Sequence, residues 1–253
     1  MKKNILAAAT LAALAWSGTA PAAEGVTPPA EEWSFSGLFG TFDRAQMQRG
    51  FQVYKEVCHS CHGLKFIAFR NLQALGFSPD QVTAIAAEFE VQDGPNDEGD
   101  MFMRPAKAAD RIPSPFANDQ AARVANNGAL PPDLSLIVEA RKGGADYIYG
   151  VLIGYRDQLP EGVQIQEGMY YNEYFPGHQI AMPPPLSDDR VTYSDGTQAT
   201  LSQQAKDVTA FLTWATEPNR EESKRLGISV LLFVLVLTGM LYALKRHIWS
   251  DVH

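Results

Sequence analysis

The stretch Asp43-Arg44-Ala45-Gln46-Met47-Gln48-Arg49-Gly50-Phe51-Gln52-Val53-Tyr54-Lys55-Glu56-Val57-Cys58-His59-Ser60-Cys61-His62 decides the fold. Met47, Gly50, Phe51, Tyr54 and Val57 recur at helical spacing, Asp43 stands where an N-cap is wanted, and Gln46 stands where a capping box takes its partner. A helix therefore runs straight into Cys58-x-x-Cys61-His62. The chain has two cysteines, and both lie in that pentapeptide. At this spacing two sulfurs can form thioethers with the vinyl groups of one porphyrin while the next imidazole reaches the iron. Two other chemistries use paired cysteines. A thioredoxin-like redox pair wants a βαβ setting and a thiolate at the start of a helix, whereas this pair ends one. A zinc site needs further Cys or His ligands at close spacing, and outside the motif only His178, His247 and His253 remain. One covalently bound haem c is the expectation, attached at Cys58 and Cys61 with His62 as an axial ligand.

The ligand on the other face of the iron separates electron carriers from enzymes and gas sensors. Met47, Met101, Met103, Met169, Met182, His59 and His178 are the candidates. Met182 is favoured because Ala181-Met182-Pro183-Pro184-Pro185 places a thioether in a loop stiffened by three prolines of fixed φ. A thioether favours Fe(II) and raises the potential. His178 is the alternative and would give bis-His ligation with a lower potential.

Working outward, both ends of the chain read as membrane-related. Residues 1–23 have a basic start at Lys2-Lys3, an apolar Ala-rich run and the small residues Ala20-Pro21-Ala22-Ala23, which is the pattern of a cleaved secretory signal. Residues 226–244 carry no charge over nineteen positions and reach ~28 Å as a helix, the thickness of a bilayer's hydrocarbon core. Lys224-Arg225 and Lys245-Arg246 bracket that span where snorkelling cations belong. Cations are balanced across it, so the signal decides orientation: residues 24–225 are exported and residues 245–253 form a cytoplasmic tail. A bacterial cell membrane with a periplasmic haem domain is expected, the mitochondrial inner membrane being the topologically equivalent alternative. The formal net charge of −8, or −10 without residues 1–23, argues against nucleic acid and for a basic partner.

Within the exported part, residues 24–42 are rich in Pro, Gly and aromatics and read as an arm. Ser78 to Glu90 reads as a helix with Ser78 capping and Pro79 in its first turn. Glu88, Glu90, Asp93, Asp97, Glu98 and Asp100 form a carboxylate run without Lys or Arg, a solvated loop that on an electron carrier doubles as a docking patch for a basic protein. Asp133 reads as the cap of a short helix from Leu134 to Lys142, stopped by Gly143-Gly144. Thr200 and Gln203 make a second capping-box pattern, opening a helix to Thr216 with Leu201, Ala205, Val208, Leu212 and Ala215 on one face. No Ser/His/Asp, Walker or Gly-rich phosphate pattern stands in context, so no acid, base or nucleophile is expected.

The chain resembles the cytochrome c1 family, the haem subunit of the cytochrome bc1 complex. The resemblance is carried by Arg49-Gly50-Phe51-Gln52-Val53-Tyr54, Val91-Gln92-Asp93-Gly94-Pro95-Asn96, Met101-Phe102-Met103-Arg104-Pro105 and Ala125-Asn126-Asn127-Gly128-Ala129-Leu130-Pro131-Pro132-Asp133-Leu134-Ser135. Tyr174-Phe175-Pro176-Gly177, the Met182 loop and Trp214-Ala215-Thr216-Glu217-Pro218 extend it. It implies a mainly α, class I cytochrome c-like haem domain with long loop insertions and one C-terminal transmembrane helix. It also implies Cys58 and Cys61 as attachments, His62 and Met182 as iron ligands, and Asn126, Pro131, Pro132, Arg141 and Tyr147 beside the haem. Arg141 would pair a propionate, with Arg123 the fallback. No cysteine is left over for the extra disulfide of some bacterial members. The implied role is a relay from the Rieske iron–sulfur protein to a soluble or tethered cytochrome c, in a dimeric complex with cytochrome b. A tethered cytochrome feeding an oxidase or reaction centre is the alternative, and an enzyme or sensor with an open iron site is a further one.

Overall fold

A computed structural model describes residues 26–252, so the expected signal segment, residues 1–23, lies outside the described residues. Asp43 caps α1 (Arg44–Glu56) as its side chain accepts from the amides of Ala45 and Gln46. The apolar stripe of α1 buries Met47, Gly50, Phe51, Val53 and Tyr54 against α5 (Leu201–Thr216), the most extensive helix–helix contact of the domain. Gly50 makes that approach possible. A Cβ there would stand 2.7 Å from Cβ of Phe211 and closer to the Asp207 carbonyl. Phe211 packs edge-on against Phe51 and tilted against Tyr54, with ring centroids 5.6 and 5.7 Å apart. Arg49 bridges the same crossing, its Nε 2.9 Å from the fully buried Asp207 and its Nη1 2.8 Å from Asp195.

Around this pair the chain is mostly loop. A 3-10 turn, Phe69–Leu75, buries Phe69, Leu72 and Leu75 and ends at Gly76 in the left-handed region. Ser78 and Gln81 then form a reciprocal capping box on α2 (Pro79–Ala87). The remaining helices are α3 (Asp119–Ala125), α4 (Gly144–Ile153) and α6 (Arg220–Ile248). Three two-stranded antiparallel ladders stiffen the loops: β1 (Leu64–Ala68) with β4 (Arg111–Ile112), β2 (Glu90–Asp93) with β3 (Phe102–Pro105), and β5 (Tyr170–Tyr171) with β6 (Gln179–Ile180). The result is the α-rich, loop-inserted architecture that the resemblance implies.

Several local expectations are corrected. Helix α2 stops at Ala87, because Glu90 has entered a strand paired with Pro105. Leu134 to Lys142 forms turns rather than a helix, and Gly144 opens α4 instead of ending a preceding helix. Gln203 does not close a box on Thr200; its amide donates to Asp207 at 2.8 Å while Thr200 alone caps the helix. Helix α5 is buried almost all round, Gln204, Asp207 and Thr209 included, so its apolar side is not a stripe.

The arm that precedes α1 is strapped down. Trp33 Nε1 donates to Asp146 at 2.7 Å and Lys206 pairs with Glu31 at 2.8 Å, tying the arm to α4 and α5. Helix α6 carries the apolar span, is long and apolar enough to cross a membrane, and buries none of its residues in the domain. Its 29 residues reach ~44 Å, longer than the expected span because Arg220–Arg225 and Lys245–Ile248 continue the same helix.

Candidate haem-binding site

Helix α1 delivers the motif. Its last amide bond, Val57 N to Val53 O at 2.9 Å, leads into a 3-10 turn, Cys58–Ser60. The Cys58 carbonyl accepts from the amides of both Cys61 and His62, at 3.1 and 2.9 Å. That double acceptance winds Cys58, Cys61 and His62 onto one tight turn. Tyr54, buried in the last turn of α1, has its hydroxyl 3.2 Å from the His62 carbonyl and 3.2 Å from Nδ1 of His59. The His59 ring also packs edge-on against Phe89 at 5.0 Å, so this histidine is engaged with protein on two sides.

The electrostatics separate the two-cysteine chemistries. Burial, with Cys61 adding to it, pushes the Cys58 thiol up to about 12. A reactive redox pair needs a thiol moved the other way. His62 is held neutral: burial lowers its pKa, opposed by the Pro132 carbonyl and by Asp133. Its Nδ1 lies 2.7 Å from the Pro132 carbonyl oxygen. A carbonyl only accepts, so the proton sits on Nδ1 and the lone pair on Nε2, which is the tautomer a metal-binding imidazole requires. Thiols at thioether spacing and an imidazole with a free Nε2 lone pair fit covalent haem.

Asp133 positions Pro132. Its Oδ2 accepts from the Lys65 amide and its Oδ1 from the Ser135 amide, each at 3.0 Å, while Ser135 Oγ accepts from Phe66 N at 3.1 Å. Leu134 N donates to Gly63 O at 2.9 Å. The Pro131–Ser135 segment is thus laced to the four residues after His62, which is why it cannot coil into a helix. Sequence reasoning treated Asp133 as a helix cap and passed over Tyr54; the signals were Asp after two prolines and a tyrosine one turn before the first cysteine.

The other residues expected beside the haem make contacts of their own. Asn126 is half-buried and its Nδ2 donates to Ala122 O at 2.7 Å, ending α3. Arg141 is exposed and donates to Ala140 O, while burial raises the pKa of the Tyr147 hydroxyl and the charge of Arg141 offsets it. Arg123 reaches Gly128 O at 3.0 Å. Among the described residues no hydrogen bond runs from Arg123, Arg141 or Tyr147 to the Cys58–His62 turn. Met182 is half-buried, and the Tyr155 hydroxyl donates to its carbonyl at 3.0 Å. His178 belongs to the β5–β6 hairpin, stacked on Tyr171 at 5.7 Å with Nδ1 3.3 Å from Asn172 O. Met47 is core, 3% exposed.

The acidic run is partly compensated by cations that the fold brings from outside it. Lys55 pairs with Glu88 at 2.9 Å, and Arg104 binds Asp93 across the hairpin, lowering the pKa of that carboxyl. Glu90, Asp97, Glu98 and Asp100 are exposed and make no ion pair among the described residues. Glu88 and Glu90 line an open groove of about 820 Å³ together with His59, Phe89, Met103 and Phe116.

A helical domain built around a Cys-x-x-Cys-His turn, continued by an exposed apolar C-terminal helix long enough to cross a membrane, fits the class of membrane-anchored cytochromes. The family model described as the Cytochrome C1 family matches residues 33–252, and the chain belongs to that family. It is 52% identical to "Cytochrome c1" of Rhodospirillum rubrum, over all of this chain and 98% of that protein. It is 49% identical to "Cytochrome c1, heme protein, mitochondrial" of Saccharomyces cerevisiae, over 91% of this chain and 75% of that one. Identity is 53% to "Cytochrome b/c1" of Bradyrhizobium diazoefficiens over 89% of this chain, which spans 36% of that longer protein's length.

Proposed function

We propose that the chain is a one-electron carrier with a single haem c held by thioethers at Cys58 and Cys61. In this reading it receives electrons from a Rieske iron–sulfur protein and passes them to a cytochrome c, within a dimeric bc1 complex that also contains cytochrome b. The observation that carries it is the His62 Nδ1 to Pro132 carbonyl bond at 2.7 Å, which leaves Nε2 as a ligand beside two cysteines at attachment spacing. Bound there, haem supplies a one-electron iron couple. The chain's residues do the rest. His62 is the first axial ligand, oriented by Pro132 and, through it, by Asp133. Met182 is the second, on a loop stiffened by proline and anchored by Tyr155, while the engagement of His178 in its own hairpin supports Met182 over it. Asn126, Pro131, Pro132, Arg141 and Tyr147 line the haem, and Arg141 answers a propionate.

The relatives support the complex. One from Candida albicans is named "Cytochrome b-c1 complex catalytic subunit, mitochondrial". Any share in quinol:cytochrome c reductase activity is electron transfer alone, with no bond-making group of its own. Cleavage of residues 1–23 would leave the haem domain, residues 24–225, outside the membrane and residues 245–253 in the cytoplasm. The uncompensated acids Glu90, Asp97, Glu98 and Asp100 would be the centre of a docking patch for a basic cytochrome c, with Glu88 and Asp93 at its edge.

The decisive experiment is extraction with acidified acetone after boiling in denaturant. The red colour stays with the polypeptide if the haem is thioether-bound, and colour in the solvent refutes the attachment. Purification in mild detergent then asks whether b-type haem and an iron–sulfur centre travel with the chain. Their absence would favour a tethered cytochrome outside a bc1 complex.

A further inference from the structure

Trp33-Ser34-Phe35-Ser36-Gly37-Leu38-Phe39-Gly40-Thr41-Phe42 contains no charged residue and four aromatic rings. Phe35 and Phe42 are core, 3% and 8% exposed, and their rings meet at 5.0 Å. Leu38 and Phe39 are 56% and 81% exposed, at the tip of a tight loop whose Gly37 takes a left-handed φ of 71°. Single exposed apolar residues are ordinary. What sets this pair apart is the helix it is fastened to.

The Phe42 amide is bonded to Oε1 of Glu221, at 2.6 Å. One turn further along α6, Lys224 Nζ donates to Phe35 O and Gly40 O, at 2.8 and 3.0 Å, closing the two ends of the loop on one ammonium. From Glu221 to Lys224 the attachment advances ~4.5 Å toward the apolar span, and Leu226 begins only ~3 Å beyond. Arg220, its guanidinium 5.7 Å over the Phe35 ring and paired with Glu217, and the exposed Arg225 flank Lys224 along α6, adding cations of the kind that meet lipid phosphates.

We propose that Leu38 and Phe39 insert into the interfacial layer of the bilayer beside α6, as a second, shallow contact that sets the tilt of the haem domain over the membrane. The proposal rests on the reading that α6 crosses the membrane. A loop without charge, two exposed apolar side chains and cations on the adjoining helix match a lipid surface, where Phe and Leu enter the headgroup boundary and Lys and Arg remain at it. A single helix would leave the domain free to swing; two contacts on one rigid junction do not.

The test uses the full-length chain in phosphatidylcholine vesicles, with or without bromine on acyl carbons close to the headgroup. Phe39→Trp and Leu38→Trp each add one indole at an exposed position, and the emission of the parent tryptophans is subtracted. The added emission is expected to shift to shorter wavelength and to lose most of its intensity in the brominated vesicles, in both variants. Unquenched emission at the wavelength of an indole in water overturns the proposal. So does a tip that becomes apolar only when other proteins co-purify, which would mark a protein contact. Flotation of the vesicles separates the two readings: a chain that floats with an unquenched tip keeps its anchor and loses this contact, and a chain that does not float loses both.

Discussion

Gly50 lies directly against the backbone of Asp207, so that a Cβ on Gly50 would stand 2.6 Å from the Asp207 carbonyl carbon and 2.7 Å from Cβ of Phe211. Neither neighbour is the movable end of a side chain. The helix that ends in the haem turn and the helix that leads to the membrane therefore meet at a distance only glycine permits. Gly50→Ala is expected to force the two helices apart and to cost about 1–3 kcal/mol or more, as overpacking in a tight core does. The denaturant midpoint of the holoprotein measures it; an unchanged midpoint would show that the crossing is not tight.

Arg49 Nε and the fully buried Asp207 are 2.9 Å apart, with Asp195 on the other arm of the guanidinium. Burial alone would lower the Arg49 pKa, but the hydrogen bonds to Asp207 and Asp195 raise it above its ordinary value. Arg49→Met leaves the Asp207 carboxylate uncompensated and is expected to cost about 3–5 kcal/mol. Adding Asp207→Asn removes the stranded charge, so the double variant should recover part of that loss in the same denaturation experiment.

A local acid response is expected at the base of the β2–β3 hairpin. The Arg104 guanidinium, helped by the Lys107 amide, lowers the Asp110 carboxyl to about 2. The folded pKa lies below the unfolded value of about 4, so this contribution to stability is complete above pH ~4 and is lost as pH falls toward ~2. The protection of amides over residues 102–112, taken relative to their intrinsic exchange rates at each pH, should fall across that window. Asp110→Asn should exchange faster at neutral pH and show a weaker acid step.

What could be read in advance was local. Asp43, Ser78 and Thr200 cap the helices they precede because an N-cap bond reaches only two or three residues. The tight turn that carries Cys58, Cys61 and His62 was legible for the same reason, as a contiguous motif. Asp133 was misread because its carboxylate is occupied by Lys65 and Ser135 amides, one of them 68 residues away. The charge of the acidic run was overstated because Lys55 and Arg104 arrive by tertiary pairing. The proton on His62 is fixed by a backbone carbonyl 70 residues downstream, and a carbonyl leaves no trace in the identity of its residue. The resemblance brought Pro132 to the haem, but only the geometry assigns it this bond.

The Met182 loop offers the last prediction, which separates a ligand from a bystander. Tyr155 donates to the Met182 carbonyl, so Tyr155→Phe removes a tether without touching the thioether. A lost hydrogen bond of about 0.5–1.5 kcal/mol raises the population of the open loop by up to roughly ten-fold. Carbon monoxide should therefore bind the reduced variant faster by up to that factor. If Met182 holds the iron, Met182→His would replace a soft thioether by an imidazole and should lower the midpoint potential by a few tenths of a volt, within the ~0.8 V that axial ligands command. If the potential does not move and carbon monoxide binds Tyr155→Phe no faster than the parent, Met182 is not on the iron. His178 would then be the residue to replace next, as the alternative that would give bis-His ligation.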